Sequence, residues 1–346
     1  MARSEGRTLV VTNDFPPRRG GIENFVRSLC DAMPPDEVVV YTARMTGSDA
    51  VDGAAAYPIV RDRRRTLLPT RRVAREAEAL ARRYGCDRVL FGAAAPLGLL
   101  AGGLRRRGGI QHVTAVTHGH EVWWARLPVT RQALRRIGAE SDVVTYVSAY
   151  CRDRIAPALT TDARARMARL SPTVDTTRFR PGLDGSAWRV KLGLSADAPV
   201  VLAASRLVRR KGQDTLIRAW PAVVRAVPGA CLVVVGDGRA RRRLGRLARS
   251  SGVGETITFV PGVAWELMPE VYAMADVFAL PVRTRLGGLE PEAFGIVYLE
   301  AAACGLPVLA GDSGGASEVA ALVGGRVVDP HDVPAVAAGV IDLLRT

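Results

Sequence analysis

Short apolar runs recur along this chain, each followed by a turn and then by apolar residues at helical spacing. Residues 8–12 form the first such run. A loop with Pro16, Pro17, Gly20 and Gly21 follows, and Ile22, Phe25, Val26, Leu29 and Met33 then repeat every three or four positions. Strands are predicted at 38–41, 57–60, 88–91, 113–117 and 143–147, and the second is an edge strand because it contains Pro58. Helices are predicted at 74–84, 97–106 and from about Ala149. The strands are almost wholly apolar rather than alternating, so they belong to a parallel sheet covered by helices on both faces.

The pattern restarts after Pro181. Gly182, Asp184, Gly185 and Ser186 read as a linker. Strands then come at 199–205, 231–235, 257–260, 277–280 and 308–310, with helices at 213–227, after Gly238, at 265–274 and at 336–344. The expectation is an α/β protein of two doubly wound, Rossmann-like domains, 1–182 and 183–346. A length of 346 residues suits two domains.

Bulk composition narrows the class. Hydrophobic content is 48% and charged content 24%, ordinary for a globular protein. The polar start, Met1 to Arg7, holds no apolar secretory segment, and no run reaches the ~18 apolar residues of a membrane span. Five scattered cysteines, Cys30, Cys86, Cys151, Cys231 and Cys304, never form a C-x-x-C. They read as buried thiols of a reducing compartment, hence a cytoplasmic protein. The net charge of +14 comes almost entirely from arginine and calls for an anionic partner, unless base composition alone set it. The cations are dispersed and no nucleic-acid module appears, so nucleic acid is not an expected partner. Lysine occurs twice, at Lys191 and Lys211.

Candidate chemistry falls at strand ends, where open α/β sheets bind ligands. The Gly20–Gly21 turn before a helix offers free N–H groups to an anion, though a plain strand–helix turn would look the same. His118 ends the 113–117 strand within His118-Gly119-His120-Glu121, followed by Trp123-Trp124. The i, i+2 histidine spacing without a third ligand argues against a metal. The tryptophans suit a core, an acceptor pocket or a membrane interface. Arg206 and Lys211, five residues apart after the 199–205 strand, are placed to clamp a diphosphate, the first as a fork and the second as a point charge. Glu292 and Glu300 bracket seven mostly apolar residues. The stretch reads as a helix opened by acidic residues and closed at Gly305 with Pro307 beyond. Two carboxylates on so apolar a segment are costly to bury unless they bind something, and hydroxyl donors suit them. The competing reading is helix-dipole complementation by Glu292 and a solvent-facing Glu300.

In this order, these motifs resemble the retaining GT-B glycosyltransferases of family 4, from Asn13 to about Asp332. The strings 117–124 and 288–297 look closest to the phosphatidyl-myo-inositol mannosyltransferases, in particular those that add the second mannose from GDP-mannose. The resemblance implies a GT-B fold with its active site in an interdomain cleft. It makes His118, Glu292, Arg206 and Lys211 the catalytic set. It places the donor against Gly20, Gly21, Arg206, Lys211, Val263, Glu292, Phe294, Gly295, Ile296, Val297 and Glu300, with Glu292 at the sugar and Glu300 at the ribose. It implies retention of configuration by front-face attack, no required cofactor, and Mg2+ only as a companion of the diphosphate. The implied acceptor is a phosphatidylinositol (mono)mannoside at the inner face of the cell membrane. A membrane-facing surface is expected from Arg71, Arg72 and Arg75 on a helix, with Arg61, Arg63, Arg64, Arg65, Arg82 and Arg83 nearby, Leu67-Leu68 for shallow insertion, and Trp123 and Trp124. Alternatives are a transferase for a soluble acceptor, a nucleotide-sugar epimerase and a non-catalytic basic surface binder. Family members commonly end with a further helix that crosses back, which is not expected in a chain stopping at Thr346.

Overall fold

Backbone donors in the apolar runs find partners only in a neighbouring strand, and the fold supplies them in two parallel sheets. The computed structural model describes residues 6–18 and 20–346. Residues 1–5 of the polar N-terminal segment, and Arg19 of the first glycine loop, lie outside the described residues.

The chain forms two compact units that divide after Pro172. The first unit holds β1 (Arg7–Thr12), β2 (Val38–Ala43), β3 (Ile59–Asp62), β4 (Cys86–Phe91), β5 (His112–Val116), β6 (Val143–Tyr146) and β7 (Met167–Arg169). Their spatial order is β3-β2-β1-β4-β5-β6-β7. β3 is an edge strand, as expected, with Pro58 just before its first residue. β1 and β2 are buried along nearly their whole lengths, which explains their unbroken apolar character. The second unit holds β8 (Val200–Ala204), β9 (Cys231–Val235), β10 (Ile257–Val260), β11 (Val277–Leu280), β12 (Val308–Gly311) and β13 (Arg326–Val328), ordered β10-β9-β8-β11-β12-β13. Both sheets are wholly parallel with helical crossovers, so the chain is α/β with two Rossmann-like domains. Residues 173–182 pack with the second unit, because the Phe179 ring lies 5.6 Å from Trp265 and 6.0 Å from Tyr272.

Several details depart from expectation. β7, where no strand was predicted, pairs with β6. The expected linker runs straight into a helix that was not predicted, Ser186–Lys191. The helix expected to begin with acidic residues at Glu290–Glu292 is Ile296–Ala303 instead. Glu292 therefore sits in an irregular segment before the helix. Gly295, at φ 92°, makes the entry, and a Cβ there would press on the Tyr298 ring. The helix ends as expected, with Gly305 at φ 87°. No helix among the described residues is long and apolar enough to cross a membrane. All five cysteines are free; Cys231 is only half-buried and the other four are buried.

Candidate active site

In the first unit, the loop after β1 opens the helix Gly21–Asp31, whose Phe25 meets His118 edge-on at 5.8 Å between ring centroids. The glycine turn and the β5 strand end are thus brought to one place. A Cβ at Gly20 would meet the carboxylate end of the flexible Glu23 side chain. His118 is buried, and its Nε2 lies 2.5 Å from the Gly92 carbonyl. A carbonyl only accepts, so Nε2 carries the proton and Nδ1 keeps its lone pair. Burial lowers the His118 pKa below its ordinary 6.5, although Glu121 opposes it, so the ring is neutral at pH 7. Glu121 is fully buried. Its Oε2 accepts the His118 backbone N–H at 3.1 Å. Its Oε1 has no hydrogen-bond donor and lies 3.2 Å from Nε2 of His120, which bonds the Ala95 carbonyl at 3.1 Å.

Trp123 and Trp124 are half-buried and 5.4 Å apart. Trp124 packs on the cluster of Ala94, Ala95, Ala115 and Ile137, so that ring is partly core. Of the arginines expected at a membrane-facing surface, Arg63, Arg64, Arg65, Arg82 and Arg83 are exposed. Arg71 and Arg75 are exposed on the helix Arg71–Tyr84. Arg72, exposed as well, chelates the buried Asp62 at 2.8 and 3.0 Å, and Tyr41 donates to the same carboxylate. Arg61 is tied to Asp52 at 2.7 Å. Leu67 is fully buried, which leaves Leu68 alone exposed of the pair expected to insert.

In the second unit, the loop after β8 carries Arg206, Arg210 and Lys211. Arg206 is exposed, and its carbonyl accepts from Gln213 at 3.2 Å. Lys211 is buried, and its Nζ lies 2.7 Å from Oε2 of Glu292. Arg210 donates to the same oxygen. Burial pushes the Glu292 carboxyl up, but Lys211 and Arg210 outweigh it, so it ionises below its ordinary 4.5. Burial likewise pulls the Lys211 ammonium down, against the pull of Glu292. The Glu292 backbone is held on both sides: its N–H donates to Ser313 Oγ at 3.2 Å, and its carbonyl accepts from Gly315 at 2.8 Å. A Cβ at Gly314, φ 60°, would stand 2.1 Å from that carbonyl oxygen. The loop after β12 is therefore glycine because the Glu292 backbone passes against it.

Glu300 is buried too. It accepts from Tyr272 Oη at 2.9 Å and from Trp265 Nε1 at 3.3 Å. Burial raises its pKa despite both donors. Neither glutamate faces solvent, so the helix-dipole reading with an exposed Glu300 fails. Val263, half-buried, precedes Trp265 by two residues, and the Gly262 N–H is fixed by Asp237 Oδ2 at 2.9 Å. Phe294 and Gly295 are buried, while Ile296 and Val297 are half-buried at the start of their helix. The second unit thus brings Lys211 and Glu292 into contact and sets Glu300 beside the residues that follow Val263.

Family models match on both sides of the division: Glycosyltransferase Family 4 over residues 19–178, and Glycosyl transferases group 1 over residues 184–346. The chain belongs to glycosyltransferase family 4. The GDP-mannose-dependent alpha-(1-6)-phosphatidylinositol monomannoside mannosyltransferase of Mycolicibacterium smegmatis is 49% identical over 343 residues, 97% of this chain and 88% of the relative. The GDP-mannose-dependent monoacylated alpha-(1-6)-phosphatidylinositol monomannoside mannosyltransferase of Corynebacterium glutamicum is 44% identical over 98% of this chain and 88% of the relative. These identities bear out the branch named from the 117–124 and 288–297 strings. Among solved structures, Anabaena HepE in complex with UDP superposes with a TM-score of 0.79 at 19% identity, covering 98% of this chain and 90% of that one. Sucrose-phosphate synthase from Thermosynechococcus elongatus gives 0.78 at 23% identity, with the same coverage. Those two likenesses establish the GT-B fold. This family member is a glycosyltransferase.

Arg210, Trp265, Tyr272 and Ser313 were not singled out from the sequence. Arg210 had a signal, as the neighbour of Lys211 in a run of three cations. The others had none, since each acts by meeting a distant carboxylate or backbone group.

Proposed function

We propose that this enzyme transfers mannose from GDP-mannose to a phosphatidylinositol monomannoside, with retention of configuration, at the inner face of the cell membrane. The observation that carries the reading is identity of 44–49% across nearly the whole chain to enzymes named for that donor and acceptor. The site chemistry supports it. The first domain, 1–172, takes the acceptor, and the second, 173–346, takes the donor.

Arg206 and Lys211 meet the diphosphate, whose charge grows as the bond to the sugar breaks. Cations fixed there beforehand lower the barrier without reorganisation. An ammonium has three N–H donors, so Lys211 can hold Glu292 and still reach a phosphate oxygen. Glu292 accepts from the mannose hydroxyls and sets its negative charge near the oxocarbenium-like centre. Glu300 accepts from the ribose hydroxyls. Val263 borders the guanine, and the N-termini after Gly20 and Gly295 meet the donor from their respective domains. The neutral His118 ring presents Nδ1 as an acceptor for a sugar hydroxyl.

In the step itself, the anomeric C–O bond to the β-phosphate breaks and the acceptor oxygen bonds to the same face of that carbon. The acceptor hydroxyl proton passes to the departing phosphate oxygen, leaving GDP and the mannosylated lipid. No side chain is needed as a covalent nucleophile.

The experiment uses purified chain with labelled GDP-mannose or UDP-glucose, with and without phosphatidylinositol and its monomannoside. Labelled product should form only with GDP-mannose and the monomannoside. Transfer only to water-soluble acceptors, or donor isomerisation without transfer, would replace this reading.

A further inference from the structure

A polar cavity of about 280 Å³ lies in the first unit between the helix Pro128–Glu140 and residues 157–164. None of its lining residues belongs to the donor or catalytic set. Arg131, Arg135 and Arg164 converge on it, with Gln132, Thr160 and Thr161 between them. Arg131 and Arg164 each spend one guanidinium N–H on the Pro157 carbonyl, at 2.9 and 3.2 Å. A guanidinium carries five donors, so most of each fork stays available. Among the described residues, no carboxylate forms an ion pair with Arg131, Arg135 or Arg164. Three uncompensated cations around one cavity call for an anion with several acceptor oxygens, as in a phosphate ester.

The start of the same helix adds a different chemistry. Leu127 is 45% exposed and Val129 83% exposed, directly before Arg131. Thr130 Oγ1 holds this corner by donating to the Trp124 and Leu127 carbonyls at 2.9 and 3.2 Å. Pro128 at the first helical position stiffens it further. A soluble phosphate would satisfy the cations and leave both apolar side chains in water. A bilayer surface satisfies both, because anionic headgroups lie beside the acyl boundary.

We infer that this corner docks the enzyme on the membrane. The Arg131–Arg135–Arg164 cavity takes the phosphate of an anionic phospholipid, and Leu127 and Val129 enter the headgroup–acyl boundary. The inference rests on the lipid-acceptor reading and adds to it a surface made of residues other than the arginines of the helix Arg71–Tyr84.

The test uses the full chain with vesicles of phosphatidylcholine, alone or with phosphatidylinositol. Flotation should show binding only to the anionic vesicles. Changing Arg131, Arg135 and Arg164 together to Ser should weaken it roughly a hundredfold. Val129→Glu, a surface change that leaves the fold alone, should weaken it at least tenfold. An environment-sensitive dye on Val129→Cys should shift to the blue on anionic vesicles. GDP binding should match the unmodified enzyme in every variant. Undiminished flotation of the triple variant and of Val129→Glu, or water-like dye emission on bound vesicles, would overturn the surface. So would equal binding to neutral vesicles. Protection of these arginines from chemical modification by inorganic phosphate, but not by vesicles, would reassign the cavity to a soluble anion. If the unmodified chain docks through this corner yet transfers no mannose to any phosphatidylinositol lipid, the functional reading fails and the surface stands. If it transfers mannose and the variants still dock normally, only the surface fails.

Discussion

Lys211 Nζ and Glu292 Oε2 lie 2.7 Å apart, both buried, and Arg210 donates to the same carboxylate oxygen. One contact thus joins the loop after β8 to the segment before the helix Ile296–Ala303. A carboxylate between two cations leaves the cluster with a surplus positive charge, which suits a site meant to receive a diphosphate.

Lys211→Ala removes a charge-assisted hydrogen bond to the donor phosphates. Such bonds contribute about 1.5–3 kcal/mol, so kcat/KM for GDP-mannose should fall roughly ten- to a hundredfold. Wild-type efficiency in this variant would take Lys211 out of the site.

Glu292→Gln should cost stability as well as activity, because it leaves Lys211 and Arg210 without their counter-charge. Breaking a buried pair costs about 3–5 kcal/mol, and the amide oxygen keeps one acceptor, so the lower end is expected. The Glu292 carboxyl is depressed below 4.5 in the fold. Its stabilisation is therefore present above that pH and lost as pH falls through the folded value. Denaturant titrations at pH 7 and pH 4 should show the gap between wild type and Glu292→Gln narrowing. A gap that stays constant would mean the carboxylate is not ionised in the cluster.

Tyr272→Phe deletes the 2.9 Å hydrogen bond to Glu300, one of the two that counter its upward shift. The Glu300 pKa should rise further, because the carboxylate loses a donor that favours its ionised form. Ribose binding needs the ionised acceptor, so GDP affinity should fall as pH drops, and in this variant the fall should begin at higher pH. Calorimetric titration with GDP from pH 5 to 8 checks it. Superposed profiles would show that Tyr272 does not act through Glu300.

Gly314→Ala places a Cβ against the Glu292 carbonyl in a left-handed backbone conformation. Gly324 has nearly the same φ, 66°, with nothing near its Cβ position. Gly324→Ala should cost only the left-handed penalty of about 1–2 kcal/mol and keep full activity. Gly314→Ala should melt lower still and lose mannosyl transfer per folded molecule. Equal melting temperatures for the two variants would show that the close approach is unimportant.

Much of the fold was legible because buried parallel strands must be apolar on both faces. β1, β2, β8, β9 and β11 carry that mark in their own residues. So does the helix end at Gly305, which needs a residue free to adopt positive φ. Residue type also pointed to the carboxyl ends of the strands, where His118, Arg206 and Lys211 lie. β7 and β13 were missed because each is a three-residue edge strand whose side chains are mostly exposed. Only an aligned neighbour makes them strands. The helix containing Glu300 was extended too far forward because acidic residues before an apolar run imitate a helix start. The chain turns at Gly295 instead, where the Tyr298 ring crowds the backbone. Which cation meets which carboxylate was likewise decided in three dimensions. Arg72, exposed as expected, is also held by Asp62, while Arg210 was passed over and grips Glu292. The sequence by itself determined the two parallel sheets, the family and the residue types at the strand ends, because burial and backbone conformation act on each residue locally. The tertiary structure alone decided the pairing of charges, because a buried charge takes whichever counter-charge the packing brings within reach.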